Sequence, residues 1–119
     1  MSILVFGRTG QLATDLQLAA AARGIACTAL GRAEIDVCDT TQILKAIEKI
    51  KPSSLINAAA YTNVDGAESE SEAAFRLNEA APRAMAEAAQ HAKLPFIHIS
   101  TDQVFDGTKH GAHTEEDTP

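Results

Sequence analysis

At 119 residues, with 45% hydrophobic and 22% charged residues, the chain has the composition of one soluble globular domain, with no tract biased enough to stay disordered. Its formal charge of −6, from 16 acidic against 10 basic residues, leaves no basic field to hold a phosphate backbone, so no nucleic acid partner is expected. The longest apolar run, around Leu18 to Ala22, falls far short of the ~20 residues that cross a bilayer, and Met1-Ser2-Ile3 lacks the charged start of a secretion signal; a cytoplasmic location without membrane contact is expected.

Ser2 to Phe6 is a short, nearly continuous apolar run closed by Gly7, the pattern of a strand buried on both faces of a parallel sheet. Leu12, Leu16, Ala19 and Arg23 then recur at helical spacing, and Gly24 stands where a left-handed residue ends a helix. Ile25 to Leu30 reads as a second strand. Asp39 or Thr40 caps the next helix, whose Ile43, Leu44, Ile47 and Ile50 form one apolar stripe before Lys51-Pro52 stops it. Cys27 and Cys38 have neither metal nor redox spacing and are expected to be packed thiols.

A third strand, Ser53 to Asn57, leads into a small-residue loop from Ala58 to Asn63. Ser69-x-x-Glu72 has the form of a capping box opening a long helix, with Leu77, Ala81, Ala84, Met85 and Ala88 on one side; Asp65, Glu68, Glu70 and Glu72 suit its dipole. Pro95 to Ile99 is the fourth strand, ending at Ser100-Thr101-Asp102, and loop follows from Asp106. Strands alternating with helices at this rhythm predict an α/β fold, a Rossmann-type doubly wound parallel sheet with right-handed crossovers. Residues 1–119 are expected to form one nucleotide-binding domain. Because such sheets commonly continue to about five or six strands, a sheet of about four predicts a domain truncated at its C-terminal end.

Gly7-Arg8-Thr9-Gly10-Gln11-Leu12-Ala13 reads G-x-x-G-x-x-A between the first strand and the first helix. Gly7 and Gly10 permit a tight turn and close approach to a pyrophosphate, with the helix N-terminus supplying free N–H groups; a strand-to-helix turn without ligand has the same pattern. After the second strand comes Gly31-Arg32, where an NAD-preferring site has a carboxylate for the ribose 2′-hydroxyl. A glycine there, followed by a guanidinium able to take a 2′-phosphate, favours NADPH, with NADH still possible; Arg32 lying over the sheet edge in solvent is the alternative. Asp36 and Val37 follow where the chain would pass an adenine. His98 reads as a strand histidine rather than a base, and His91, His110 and His113 lack ligand spacing, so no metal is expected.

Three segments, Val5 to Leu12, Leu55 to Asp65 with Ala67-Glu68, and Ser100 to Gly107, together resemble the dTDP-4-dehydrorhamnose reductases, which are extended short-chain dehydrogenase/reductases. The resemblance implies hydride transfer from NADPH to the C4 keto group of a nucleotide-sugar substrate, dTDP-4-dehydro-L-rhamnose. It assigns Gly10, Gln11 and Leu12 to the pyrophosphate, Asp36 and Val37 to the adenine, and Ala60, Tyr61 and Thr62 to the nicotinamide-side ribose. Thr101 matches the catalytic hydroxyl, and Asp102 would lie beside the sugar. Without that context, Thr101 reads as a strand-end hydroxyl capping the next turn.

The sequence departs from the family in two places. Gln103 stands where the family has Tyr, and the Tyr-x-x-x-Lys that supplies the general acid is absent, since Tyr61 is the sole tyrosine and Asp65 lies four residues on. The chain alone is therefore expected to be inactive, the cofactor-binding part of a reductase. A non-catalytic nucleotide-binding or regulatory module, or a related nucleotide-sugar epimerase or dehydratase, are the alternatives. An uncovered sheet edge predicts a homo-oligomer. Finally, Pro82 leaves the carbonyl of Asn78 without an N–H partner. Either the two build the water site that feeds the family's Tyr–Lys relay, with the helix distorted at Asn78, or Pro82 only bends the helix and Asn78 faces solvent.

Overall fold

The computed structural model, which describes residues 1–119, sets four parallel strands side by side: β1 (Ser2–Phe6), β2 (Ala26–Leu30), β3 (Ser54–Asn57) and β4 (Phe96–His98), in the order β2-β1-β3-β4. β1 lies between two neighbours, and its Leu4, Val5 and Phe6 are wholly buried, as its uninterrupted apolar run requires. Side chains alternate across it. Leu4 and Phe6, with Leu55, meet Ile43 and Ile47 of α2 (Thr40–Ile50) and Met85 of α5 (Ala81–Ala92). Val5 and Ile56 meet Ala13 of α1 (Gln11–Ala22) on the other face. The fold is the expected doubly wound α/β sheet, with eleven buried residues in the cluster under α2 and α5 and three in the cluster under α1.

Several sequence signals act as anticipated. Asp39 is the N-cap of α2, its carboxylate accepting from the N–H groups of Thr41 and Gln42 at 2.9 and 3.3 Å, an arrangement worth ~1 kcal/mol. Lys51 closes that helix in the left-handed region at φ 52° before Pro52, and Gly24 follows α1 at φ 65°. Cys27 and Cys38 are free thiols, half-buried, and burial pushes both up in pKa.

α1 keeps Leu16 of the expected stripe against the sheet but turns Leu12 outward. Ala13 and Ala20 are its buried residues, while Leu12 is 38% and Leu18 65% exposed. The small side chains let the helix lie close to the sheet, and Leu12 is left on the first turn at the open end of β1.

The segment between β3 and α5 also departs from expectation. Instead of one helix opened at Ser69, a separate helix α3 (Val64–Ser69) is capped by Asn63, whose Oδ1 accepts from Gly66 N–H at 2.9 Å. The capping box does not form: Ser69 ends α3, and its hydroxyl donates back to the Gly66 carbonyl at 3.1 Å. The chain bends at Glu70 (φ −119°, ψ 45°) and restarts as α4 (Ser71–Phe75) with no side-chain cap. Asp65 and Glu72 stand in the first turns of α3 and α4. α4 runs into a π-helical turn over Arg76–Ala80, in which the Ala81 N–H reaches back five residues to the Arg76 carbonyl, and then into α5. Pro82 supplies the cause, since it has no N–H for the Asn78 carbonyl and the ordinary ladder is already broken there. The helix distortion expected at Asn78 is present.

Candidate nucleotide-binding site

Leu30, Phe6, Asn57 and His98 stand in register at the carboxyl ends of β2, β1, β3 and β4, a row spanning three strand spacings, ~14 Å. The segments that leave these residues therefore share one edge of the sheet. β1 sends its chain to β2 on one side, and β3 returns on the other, so the order reverses between β1 and β3. In parallel α/β sheets that reversal opens the crevice where ligands bind.

The two glycines of the β1–α1 turn do different jobs. Gly7 adopts φ 106°, and a Cβ there would come within 3.0 Å of the carbonyl carbon and oxygen of Ala58; it lets the turn pack against the loop after β3. Gly10 has an ordinary extended backbone (φ −67°, ψ 162°), and a Cβ on it would meet nothing within 4 Å. It is the N-cap of α1, without a side-chain cap bond and with no acidic residue in the first turn. The first helical bond runs from Thr14 N–H to the Gly10 carbonyl at 2.9 Å, which leaves the N–H groups of Gln11, Leu12 and Ala13 ahead of it. Gln17 braces the turn by donating to the Arg8 carbonyl at 3.1 Å and the Ala13 carbonyl at 2.9 Å. An unfilled space in front of an uncapped, uncompensated helix start suits an anion, and a pyrophosphate fits its chemistry.

At the end of β2 the expected absence of an acid does not hold. Gly31 leaves room that Glu34 fills: the chain turns back, with Glu34 and Ile35 N–H groups donating to the Gly31 carbonyl at 3.0 and 3.1 Å, and Glu34 Oε2 accepts from Gly31 N–H at 2.7 Å. Its Oε1 pairs with Nη1 of Arg8 from the neighbouring turn. The Gly31 N–H, and then Arg8, hold the Glu34 carboxyl below its usual pKa. Sequence reasoning passed over Glu34 because it sits three residues beyond the strand end. Arg32 is exposed and belongs to none of the five ion pairs. Asp36 is tied into the fold, one oxygen on Arg76 Nη2 at 2.8 Å and the other on Cys38 N–H at 3.0 Å; Val37 packs on the main core.

The loop after β3 is held from two directions. Asn57, only 1% exposed, accepts from Ala59 N–H at 2.9 Å and lies 3.1 Å from His98 Nδ1 on β4. Since its oxygen is fixed by a donor, its Nδ2 donates, and His98 Nδ1 is the acceptor. Farther along, Asn78 in the π turn grips the main chain of Tyr61, Oδ1 accepting from the N–H at 2.8 Å and Nδ2 donating to the carbonyl at 3.1 Å. Asn78 is exposed, as one alternative had it, and its amide nevertheless holds the loop. The Tyr61 hydroxyl donates to Glu70, whose carboxylate pushes the phenol up in pKa, with burial adding to the shift. Ala60 and Thr62 on either side are exposed.

Past β4, Thr101 caps a 3-10 turn over Asp102–Val104: its Oγ1 accepts from Gln103 N–H at 3.2 Å and donates to Asp102 Oδ1 at 3.3 Å. Thr101 and Asp102 are exposed on the same sheet edge as the turn and loop.

A parallel doubly wound sheet whose first strand ends in a glycine turn onto an uncapped helix defines the nucleotide-binding class of α/β domain. Within that class the family model described as the RmlD substrate binding domain matches residues 1–119. The chain belongs to that family, the family of the dTDP-4-dehydrorhamnose reductases. The dTDP-4-dehydrorhamnose reductase of Sinorhizobium fredii is 40% identical over 117 residues, covering 98% of this chain and 39% of the relative. That of Escherichia coli is 43% identical over 112 residues, covering 91% and 37%. The crystal structure of dTDP-4-dehydrorhamnose reductase from Bacillus anthracis in complex with NADP superposes with a TM-score of 0.89 at 30% identity, over 99% of this chain and 42% of that one. The chain spans about 40% of the length of these relatives.

Proposed function

We propose that the chain is the cofactor-binding part of an NADPH-dependent nucleotide-sugar reductase acting on dTDP-4-dehydro-L-rhamnose, and that by itself it binds cofactor without turnover. The observation that carries this is the open, uncapped start of α1 at Gly10, set against the loop after β3 at the sheet's switch point. The names of its relatives and the NADP bound to the Bacillus anthracis reductase support it.

In this reading Gly7, Gly10, Gln11 and Leu12 hold the pyrophosphate through main-chain N–H groups. Arg32, Asp36 and Val37 border the adenosine half, and Ala60, Tyr61 and Thr62 the nicotinamide-side ribose. Bound NADPH supplies the hydride. Thr101 offers its hydroxyl to the substrate carbonyl oxygen, where charge develops, with Asp102 beside the sugar. The proton is what the chain cannot supply: Tyr61, its one tyrosine, gives its hydroxyl to Glu70 and lacks a lysine four residues on.

Titration calorimetry of the chain with NADPH tests this, alongside Gly10→Ser. Serine is as good an N-cap as glycine, so the fold should keep its stability while the new side chain fills the pyrophosphate space and binding weakens about tenfold or more. Absence of binding by NADPH and NADH alike, or undiminished binding by Gly10→Ser, would refute the proposal. Self-association through the open edge of β4, where Ile97 is 52% exposed, belongs to the same reading and is checked by light scattering.

A further inference from the structure

We propose that Glu34 sets the preference between NADPH and NADH, by holding Arg8 in the place that a 2′-phosphate would take; this rests on the cofactor reading above. A carboxylate at the end of the second strand of such a sheet accepts the ribose 2′-hydroxyl, and an arginine there receives a 2′-phosphate. This chain has both groups, locked on each other. Glu34 Oε2 sits 2.7 Å from the Gly31 nitrogen, at the strand end itself, and 3.0 Å from where a Cβ on residue 31 would lie. Any side chain at 31 would displace it. Its Oε1 faces Arg8 Nη1, and Arg8 belongs to the phosphate turn.

The arrangement is built rather than incidental. The turn that brings Glu34 back is closed by two main-chain bonds to the Gly31 carbonyl, and the next residue, Ile35, is 5% exposed in the main core. Burying Ile35 fixes where Glu34 starts, and the Gly31 N–H fixes where its carboxylate ends. The pair remains accessible, with the Arg8 side chain 56% and the Glu34 side chain 34% exposed, so a ligand anion can reach the guanidinium.

The two cofactors then meet the pair differently. NADH presents a hydroxyl that donates to the Glu34 carboxylate while the ion pair stays closed. NADPH presents a phosphate that accepts from Arg8 in Glu34's stead, and the two anions repel across a shared donor. Glu34 therefore works against NADPH and for NADH, and the chain's choice is the balance between Arg8 and Glu34. Arg32, at the same strand end, adds to the phosphate side without a carboxylate to restrain it.

The test is calorimetric binding of NADPH and NADH, and of their adenosine fragments 2′,5′-ADP and 5′-ADP, to the unaltered chain, Glu34→Gln and Arg8→Gln. Glutamine keeps an acceptor for the Gly31 N–H and removes the charge; circular dichroism checks that each variant is folded. Glu34→Gln should bind NADPH and 2′,5′-ADP about fivefold more tightly, the scale of an exposed charge pair, and bind NADH no better. Arg8→Gln should weaken the 2′-phosphorylated ligands selectively. If Glu34→Gln shifts both cofactors equally, or neither, or if Arg8→Gln leaves the preference unchanged, the role given to the pair is wrong while the dinucleotide site stands. If the unaltered chain binds none of the four ligands, the cofactor reading falls and this proposal with it.

Discussion

Replacing Asn57 by alanine should unfold the site-bearing edge of the sheet more than any exposed substitution nearby. The side chain is 1% exposed and makes two hydrogen bonds, to Ala59 N–H at 2.9 Å and to His98 Nδ1 at 3.1 Å. Each bond contributes ~1 kcal/mol, and the Ala59 N–H, left without its acceptor in a part-buried position, adds a desolvation cost of ~1 kcal/mol. The sum is ~3 kcal/mol, a large share of the ~5–15 kcal/mol that holds a domain together. At ~3–5 °C per kcal/mol for a chain of this size, the melting temperature should fall by ~10 °C. Urea unfolding followed by circular dichroism, with scanning calorimetry, measures both quantities. His98→Ala removes one bond from an exposed side chain and should cost under ~1 kcal/mol. An Asn57→Ala loss below ~0.5 kcal/mol, or a His98→Ala loss as large as that of Asn57→Ala, would refute the assignment of Asn57 as the buried tie between loop and sheet.

Tyr61 is the only tyrosine, and there is no tryptophan, so the ultraviolet absorbance of the chain on alkaline titration reports one phenol: its midpoint should lie above 10.0, held there first by the bond to Glu70, and Glu70→Gln should return it toward that value. A midpoint at or below 10.0 in the unaltered chain would contradict the Tyr61–Glu70 contact. Glu34 contributes stability with the opposite proton sense: its folded pKa lies below the ordinary 4.5, so its contribution is present above that pH and is lost as pH falls through the folded value. Stability curves of the unaltered chain and Glu34→Gln, compared by urea unfolding between neutral and acid pH, should accordingly converge on acidification; a gap that widens would overturn that sign.

The features legible in the sequence and those hidden from it divide along physical lines. The apolar run Ser2–Phe6, bounded by Gly7, could only be a strand buried on both faces, and Asp39 and Lys51-Pro52 bracket α2 by backbone chemistry that needs no partner from elsewhere in the chain. Local signals of that kind carry through. The buried face of α1 is only partly legible because its alanines bury as readily as its leucines, so periodicity in an alanine-rich helix does not choose a side. Ser69 and Glu72 match the capping pattern, but Asn63 six residues earlier starts a helix first and leaves Ser69 at its end. The site obeys the same division. The glycine turn is visible as a motif, whereas Glu34 on Arg8 and Asn78 on Tyr61 are contacts across sequence gaps, the first spanning 26 residues and the second 17. Neither leaves a spacing to read. Pro82 is the one local clue, and it does mark the place where the helix widens.

That widened turn gives the helix two phases. An α-helix advances roughly 100° per residue, and a turn closed five residues apart absorbs one extra residue without rotating the turns downstream of it. Ala81, Ala84, Met85 and Ala88 can thus key into the sheet while Asn78, just upstream, points at Tyr61; a regular helix would satisfy one alignment at the expense of the other. Deleting one residue in the widened turn would let the ladder close regularly with the turns on both sides still in place, whereas inserting another would swing the upstream segment through roughly 100°, carrying Asn78 off the loop. Chain length is therefore constrained upward in a stretch where no residue is buried, and the hold of Asn78 on the loop after β3 depends on the helix widening there.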